Sequence, residues 1–436
     1  MASTIARCPA WSVPRSFGVS AEREAAYRLI ENDGFSYRKM VASMRSATAR
    51  RAAELPYVYV AVDQSSMTLT DGCGKGFGTV GGHGKGASGM QAVTALAVSP
   101  QGVPVGIAGL SLWTRATKGQ PHYNDDVRPP EERETRYWLE VLDDVAESFR
   151  SEAPNTTPWV QMDRGADRAW IFARSVELGF EFTVRSSYDR RIVGGKKLWP
   201  TLAAARPLGT YTVQIPRGNG GPARRARLVL RAVRIKMRLP LGARRTAPHV
   251  PVQLWAVEAR EPHPPRDIEG ILWRLLTNHD ASHFDAALET VQGYVQRWRV
   301  EQLHYAWKTG LCDIERSQLR TPERFAKWAT LLVAVATRAE RLKMLSRDQP
   351  DAPAATEFSR DEIDAVILLR KPAGVVVGAH PTLGEVVRWV ADLGGYVGKS
   401  SGGPPGVKII GRALPQVAAA AAAIAALRPT ARRKKK

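Results

Sequence analysis

The chain has 436 residues, enough for two or three domains, and sets 63 Lys and Arg against 42 Asp and Glu, a formal net charge of +21. So basic a balance points to a polyanion, with nucleic acid ahead of an anionic membrane, for which neither a basic amphipathic helix nor an anchor is found. Cys8, Cys73 and Cys312 are scattered and show no CxxC pairing, which argues against a disulfide framework or zinc site; with no apolar N-terminal signal, a cytoplasmic location is expected.

Residues 1–20 read as irregular, with Pro9 and Pro14. From Ser20 to about Leu55 the pattern is helical and basic, with Ala25, Ala26, Leu29 and Ile30 at helical spacing and Pro56 as the stop. Tyr57–Val62 reads as a buried strand ending at Asp63. The glycine-rich stretch Gly72–Gly89 fails the phosphate-cradling spacing at Lys85, because Thr79 stands at the first glycine and Gly86 follows the lysine; it reads as a flexible surface. Met90–Val98 and Val103–Trp113, joined by Ser99–Gly102, predict a hairpin, so the first three strands run antiparallel. Pro129 and Pro130 open an acidic helix to about Arg150. Trp159–Met162 is a strand ending at Asp163, followed by a helix over Ala166–Leu178 and a strand over Phe180–Arg185.

From Asp189 to Arg266 helical periodicity gives way to prolines, arginines and β-like runs at Thr210–Ile215, Arg227–Met237 and Val250–Glu258. Ile271–Leu276 returns the chain to the core, and Tyr294–Lys308, free of proline and stopped by Gly310, predicts one continuous helix. A long helix over Pro322–Leu345, a proline-containing linker and a C-terminal helical region follow. The apolar run Val417–Leu427 is too short to span a bilayer, and the tail Arg432–Lys436 reads as a solvated charge run.

At 100° per residue, Tyr294, Arg297, Glu301 and Lys308 share a stripe about 60° wide, setting one carboxylate among two cations and a phenol. A solvated charged face is the plain alternative, but Asp63 and Asp163 add two carboxylates at strand ends. Three gathered carboxylates repel and need cations, and oxygen-only ligation suits Mg²⁺ or Mn²⁺. Two such ions about 4 Å apart can drive phosphodiester chemistry. Carboxylates also end strands as turn formers and helix caps, so the residues alone leave both readings open.

The stripe resembles the Tyr-(2)-Arg-(3)-Glu-(6)-Lys motif of the cut-and-paste DDE transposases of bacterial insertion sequences, the group that includes the transposon five enzyme. His304 and Ala306–Gly310 match its surroundings. Asp163-Arg-Gly-Ala-Asp167 resembles the family's Asp-Arg-Glu-Ala-Asp, with Gly165 for the glutamate. Leu393–Gly398, Pro405–Lys408 and Gly411–Leu414 resemble its C-terminal segment, and Ala25–Asn32 its N-terminal domain.

The resemblance implies an α/β fold: a ribonuclease-H-like mixed-sheet core interrupted by a mainly β insertion, with helical N- and C-terminal regions. It divides the chain into 1–55 (DNA end binding), 56–188 (first part of the core), 189–270 (basic insertion), 271–348 (second part, with Glu301) and 349–436 (dimerisation, with a basic tail). Asp63, Asp163 and Glu301 would be catalytic and hold two Mg²⁺, with Mn²⁺ as substitute. Tyr294, Arg297 and Lys308 would grip the phosphate beside the cut; Trp273 would stack on a flipped-out base, with a core tryptophan as its plain alternative, Trp298 could do either job, and Arg185 would lie near the DNA end, with a surface ion pair as its alternative. Partners would be double-stranded DNA, as transposon ends and target, and a second copy in a homodimer, with no membrane. Two departures, Gly165 and the short stretch before Ala25, which lacks the family's arginine-rich helix, raise the alternative of a truncated or inactive DNA-binding remnant that inhibits a full-length relative.

Overall fold

The computed structural model describes residues 12–17, 19–69, 76–80, 87–115, 133–215, 223–240, 248–398 and 403–427. Expectations for Pro129, Pro130, Lys85, Cys8, Cys73 and the basic tail lie outside them. After a single turn, α1 (Val13–Ser16), the stretch expected to be helical forms two helices, α2 (Ser20–Glu31) and α3 (Tyr37–Ala52). The Asn32 side chain accepts from the Gly34 N–H at 2.9 Å and Ser36 caps α3, so local side-chain bonds turn the chain between them.

Ten strands join one mixed sheet among the described residues: β1 (Tyr57–Thr68), β2 (Gly78–Val80), β3 (Ala87–Val98), β4 (Pro104–Trp113), β5 (Thr157–Met162), β6 (Glu181–Arg185), β7 (Pro207–Ile215), β8 (Arg224–Pro240), β9 (His249–Arg260) and β10 (Leu272–Thr277). The order is β2-β3-β1-β5-β6-β10-β9-β8-β7, with β4 on β3; β1–β5 and β5–β6 are parallel and the other pairs antiparallel. The Ser99–Gly102 hairpin forms as expected, closed by Gly102 N–H to Ser99 O at 2.9 Å. β1 runs past Asp63 to Thr68, which corrects the expectation that it ends there. Its polar half is held by backbone pairing to β3, from Asp63↔Thr94 to Thr68↔Gly89, and such pairing is indifferent to side-chain polarity. β2 likewise gives part of the glycine-rich stretch a strand partner.

Alternation along the strands sorts the core into two layers. Val58, Val60, Val62, Val160 and Met162 pack with Trp138, Val141, Leu142 and Val145 of α4 (Thr135–Glu152) and with Ile171 and Phe172 of α5 (Ala169–Glu177). Tyr59, Ala61 and Trp159 point the other way. They join Val300 and Leu303 of α8 (Trp298–Tyr305) and the apolar side of α9 (Pro322–Asp348). A short helix, α6 (Leu198–Ala203), interrupts the stretch expected to be β-like. Under α7 (Phe284–Val295), Gly293 brings the backbone onto β1 and β5; a Cβ there would meet the Tyr59 ring at 2.7 Å.

The C-terminal helices α10 (Arg360–Arg370), α11 (Leu383–Leu393) and α12 (Val407–Leu427) pack on one another and on α9. α12 begins ten residues before the apolar run read from the sequence and is long and apolar enough to cross a membrane. Its stripe Val407, Ile410, Ala413, Leu414, Val417 and Ala421 is instead buried against α10 and α11.

Candidate active site

The strand alternation and one register step assemble the site. Val62 pairs with Met162 in the parallel β1–β5 ladder, so the next step sets Asp63 beside Asp163. Asp63 follows Tyr59 and Ala61 onto the face covered by α8. The helix expected over Tyr294–Lys308 is not uniform. Arg297, Arg299 and Val300 each donate to the carbonyl three residues back, a tightened turn between α7 and α8, and Ala306–Gly310 then widens into a π turn. Even 100° spacing therefore fails along the stripe, and its residues part company.

Arg297 is the hinge of the cluster. It is ion-paired with Glu301, sits 3.8 Å from the Asp63 carboxylate, and lies over the Tyr294 ring at 5.8 Å. Asp63 is 15% exposed. Burial pushes its pKa up to about 7, the negative charges of Asp163 and Glu301 push the same way, and Arg297 opposes them. His304, one turn beyond Glu301, points Nδ1 at Asp63 across 3.8 Å. Burial, aided by Lys308 and Arg297, pulls its pKa down to about 3, so its neutral ring cannot offset the acids. The Asp163 carboxylate accepts from the Gly165 N–H at 2.8 Å, closing a tight turn after β5.

Tyr294 gathers further expected residues. It is buried, which raises its pKa, while Arg297 and Arg185 act in the opposite sense and Asp163 adds to the rise. Trp273 meets its ring edge-on at 6.1 Å and is half-buried, and Arg185 donates to Leu272 O at 3.4 Å. Lys308 goes elsewhere. It pairs with Glu315 at 3.5 Å and donates to Ser65 at 3.3 Å, bracing the far half of β1 rather than flanking Glu301, because the π turn carries it along the strand. Trp298 stands on the outer side, 57% exposed. His304 was named only as part of the motif's surroundings, with no role at the site, and Glu315 was not singled out from the sequence. His304 sits three residues after Glu301, a legible spacing, whereas Glu315 reaches its partners only through the fold, accepting from Thr68 N–H at 2.8 Å.

The three acids supply oxygen donors suited to a hard divalent cation, and the Asp63 pKa is raised first by burial and then by the charges of Asp163 and Glu301, against the pull of Arg297. Among the described residues no three acid, His or Cys side chains form a ready ligand set. Glu301 is turned onto Arg297 and would have to leave it for the three acids to meet on one ion.

Fold and site together define a mixed-sheet α/β protein whose acids lie at the end of a parallel strand pair, under a helix. Residues 334–429, from the second half of α9 through α12, match the family model of the transposase Tn5 dimerisation domain. The match supports a relationship to Tn5-type transposases and suggests an enzyme of that kind and homodimer formation.

Proposed function

We propose that the chain is a DDE transposase, with a ribonuclease-H-like core, that cuts and joins DNA at the ends of an insertion sequence. The observation that carries the reading is the convergence of Asp63, Asp163 and Glu301 on the face under α8, close enough that the two other acids add to the rise burial imposes on the Asp63 pKa. Bound Mg²⁺, or Mn²⁺ in its place, would activate the attacking oxygen and stabilise the leaving one at a phosphodiester. Asp63, Asp163 and Glu301 would hold two such ions. Arg297, released from Glu301, would turn to the scissile phosphate with Tyr294, and Lys308 would hold the strand one step further along β1. Trp273 and Trp298 would stack on unpaired bases, and Arg185 would hold the DNA end. The basic strands β8 and β9 and the N-terminal helices would contact double-stranded DNA. Two copies would pair two ends through residues 349–436, in the cytoplasm at the nucleoid.

The test is single-turnover cleavage of element-end DNA in Mg²⁺ by the wild type and Glu301→Ala. Glu301→Ala is expected to lose at least about three orders of magnitude in cleavage rate while binding the DNA within a few-fold. This is about 4 kcal/mol of barrier. Cleavage surviving in Glu301→Ala would remove the carboxylate from the reaction.

A further inference from the structure

Buried polar atoms that the fold leaves idle gather around the candidate site. Thr94 Oγ1, Gln161 Oε1, Arg297 Nε and His304 Nε2 are buried without a hydrogen-bond partner among the described residues. Strand register puts them under α7 and α8. Thr94 lies opposite Asp63 in the β1–β3 ladder, and its neighbours along that face, Ala92 and Leu96, join the layer that holds Val300 and Leu303 of α8. Residues directly opposite in an antiparallel pair carry their side chains on one face, with Cβ atoms about 5 Å apart. Gln161 lies level with Ala61, one alternation step before Asp163, and Gly293 of α7 closes over it: a Cβ there would come within 3.3 Å of Gln161 Nε2. The idle atoms therefore bracket the acids, with Thr94 and His304 beside Asp63, Gln161 before Asp163, and Arg297 between Asp63 and Glu301.

A buried polar group without a partner works against folding, and nearly all such groups in native proteins find one. Thr94 is 0% and His304 6% exposed, so bulk water does not serve them. Valine would fill the place of Thr94 and favour a strand at least as well, so the hydroxyl is not there for the strand. The acceptor within reach of both is Asp63. His304 points Nδ1 at its carboxylate across 3.8 Å from α8, and Thr94 stands beside it in the sheet. A hydroxyl has a proton to donate, and so has one nitrogen of a neutral imidazole. Carboxylates that ligate metals are themselves held by donors behind them, and those donors fix how the carboxylate is turned.

We propose that Thr94 and His304 are positioning residues for Asp63: they donate hydrogen bonds to its carboxylate and set its orientation toward a divalent cation. The inference rests on the metal-binding reading of Asp63, and it gives β3 and the second turn of α8 a part in the site.

The experiment pairs two measurements on the full chain. One is Mn²⁺ affinity by electron paramagnetic resonance, with element-end DNA present and the signal of the DNA alone subtracted; the other is thermal unfolding in EDTA. Thr94→Val is expected to bind Mn²⁺ about 10- to 100-fold more weakly, the usual loss when a donor behind a ligand is removed. It should melt no lower than the wild type, because an idle hydroxyl contributes nothing to the metal-free fold. Thr94→Ser should restore the affinity. His304→Phe, which keeps a ring and removes both nitrogens, should lose affinity as Thr94→Val does. Unchanged Mn²⁺ affinity in Thr94→Val and His304→Phe, or an affinity that falls only together with the melting temperature, would overturn the positioning role while leaving the metal reading in place. A wild type that binds no Mn²⁺ would overturn the metal reading and the positioning role with it.

Discussion

The seam between β1 and α8 and the helices from α9 to α12 both bury charge, and they settle it differently. In the helices each buried ion has a close partner: Glu340, 2% exposed, with Lys343; Asp364 with Arg360 at 3.4 Å; Glu357 in a fork of bonds from Arg341. Capping boxes at Ser359 and Thr382 satisfy the helix ends. At the seam one arginine serves Asp63 and Glu301, and Arg297 Nε and His304 Nε2 are buried without a hydrogen-bond partner among the described residues. Balanced charge goes with packing, and unbalanced charge marks a place kept ready for something else.

That contrast breaks most visibly if a balanced pair is halved. Lys343→Met should cost about 3–5 kcal/mol in urea unfolding, because Glu340 is left buried and unpaired. A cost under about 1 kcal/mol would mean the pair is not structural. Removing the buried Asp63 charge should act with the opposite sign. The folded-state pKa of Asp63 is raised from 3.8 to about 7, so the folded protein holds the extra proton across that window and loses stability as pH rises through it. Asp63→Asn should therefore stabilise the metal-free protein at pH 8, by at most about 4 kcal/mol and less after relaxation, with a smaller gain at pH 5. Thermal unfolding in EDTA at the two pH values measures it, and a pH-independent difference would contradict the assignment.

Smaller effects sharpen the same comparison. Lys327, buried on α9, donates to Ile30 O at 2.9 Å and Asn32 O at 2.8 Å, tying down the end of α2. Lys327→Met should cost about 1.5–3 kcal/mol and loosen that helix, seen as faster amide exchange over Ser20–Glu31. Ser359→Ala, which removes half a capping box on an exposed helix end, should cost about 1 kcal/mol.

Much of this was legible in the sequence where local chemistry decides the structure. The hairpin at Ser99–Gly102, the strand into Asp163 and the helix start at Pro322 each carry their own signal. The rest depended on partners far along the chain. Nothing in Gln64, Ser65 and Ser66 signals a strand; β3 makes it one. Nothing in the sequence marks the tightened turn at Gln296 and Arg297 or the π turn over Ala306–Gly310, so the evenly spaced stripe did not show that Lys308 pairs with Glu315 and Ser65. Thr94 comes to face Asp63 only through the β1–β3 register, beyond the reach of any local pattern.

The most direct measurement is the number of Mn²⁺ ions bound per chain, counted by electron paramagnetic resonance with element-end DNA present. About two are expected for the wild type, the count a two-ion phosphodiester site requires, and fewer than one for Asp63→Asn. Equal counts in the two proteins would mean that the acids under α8 do not hold the metal.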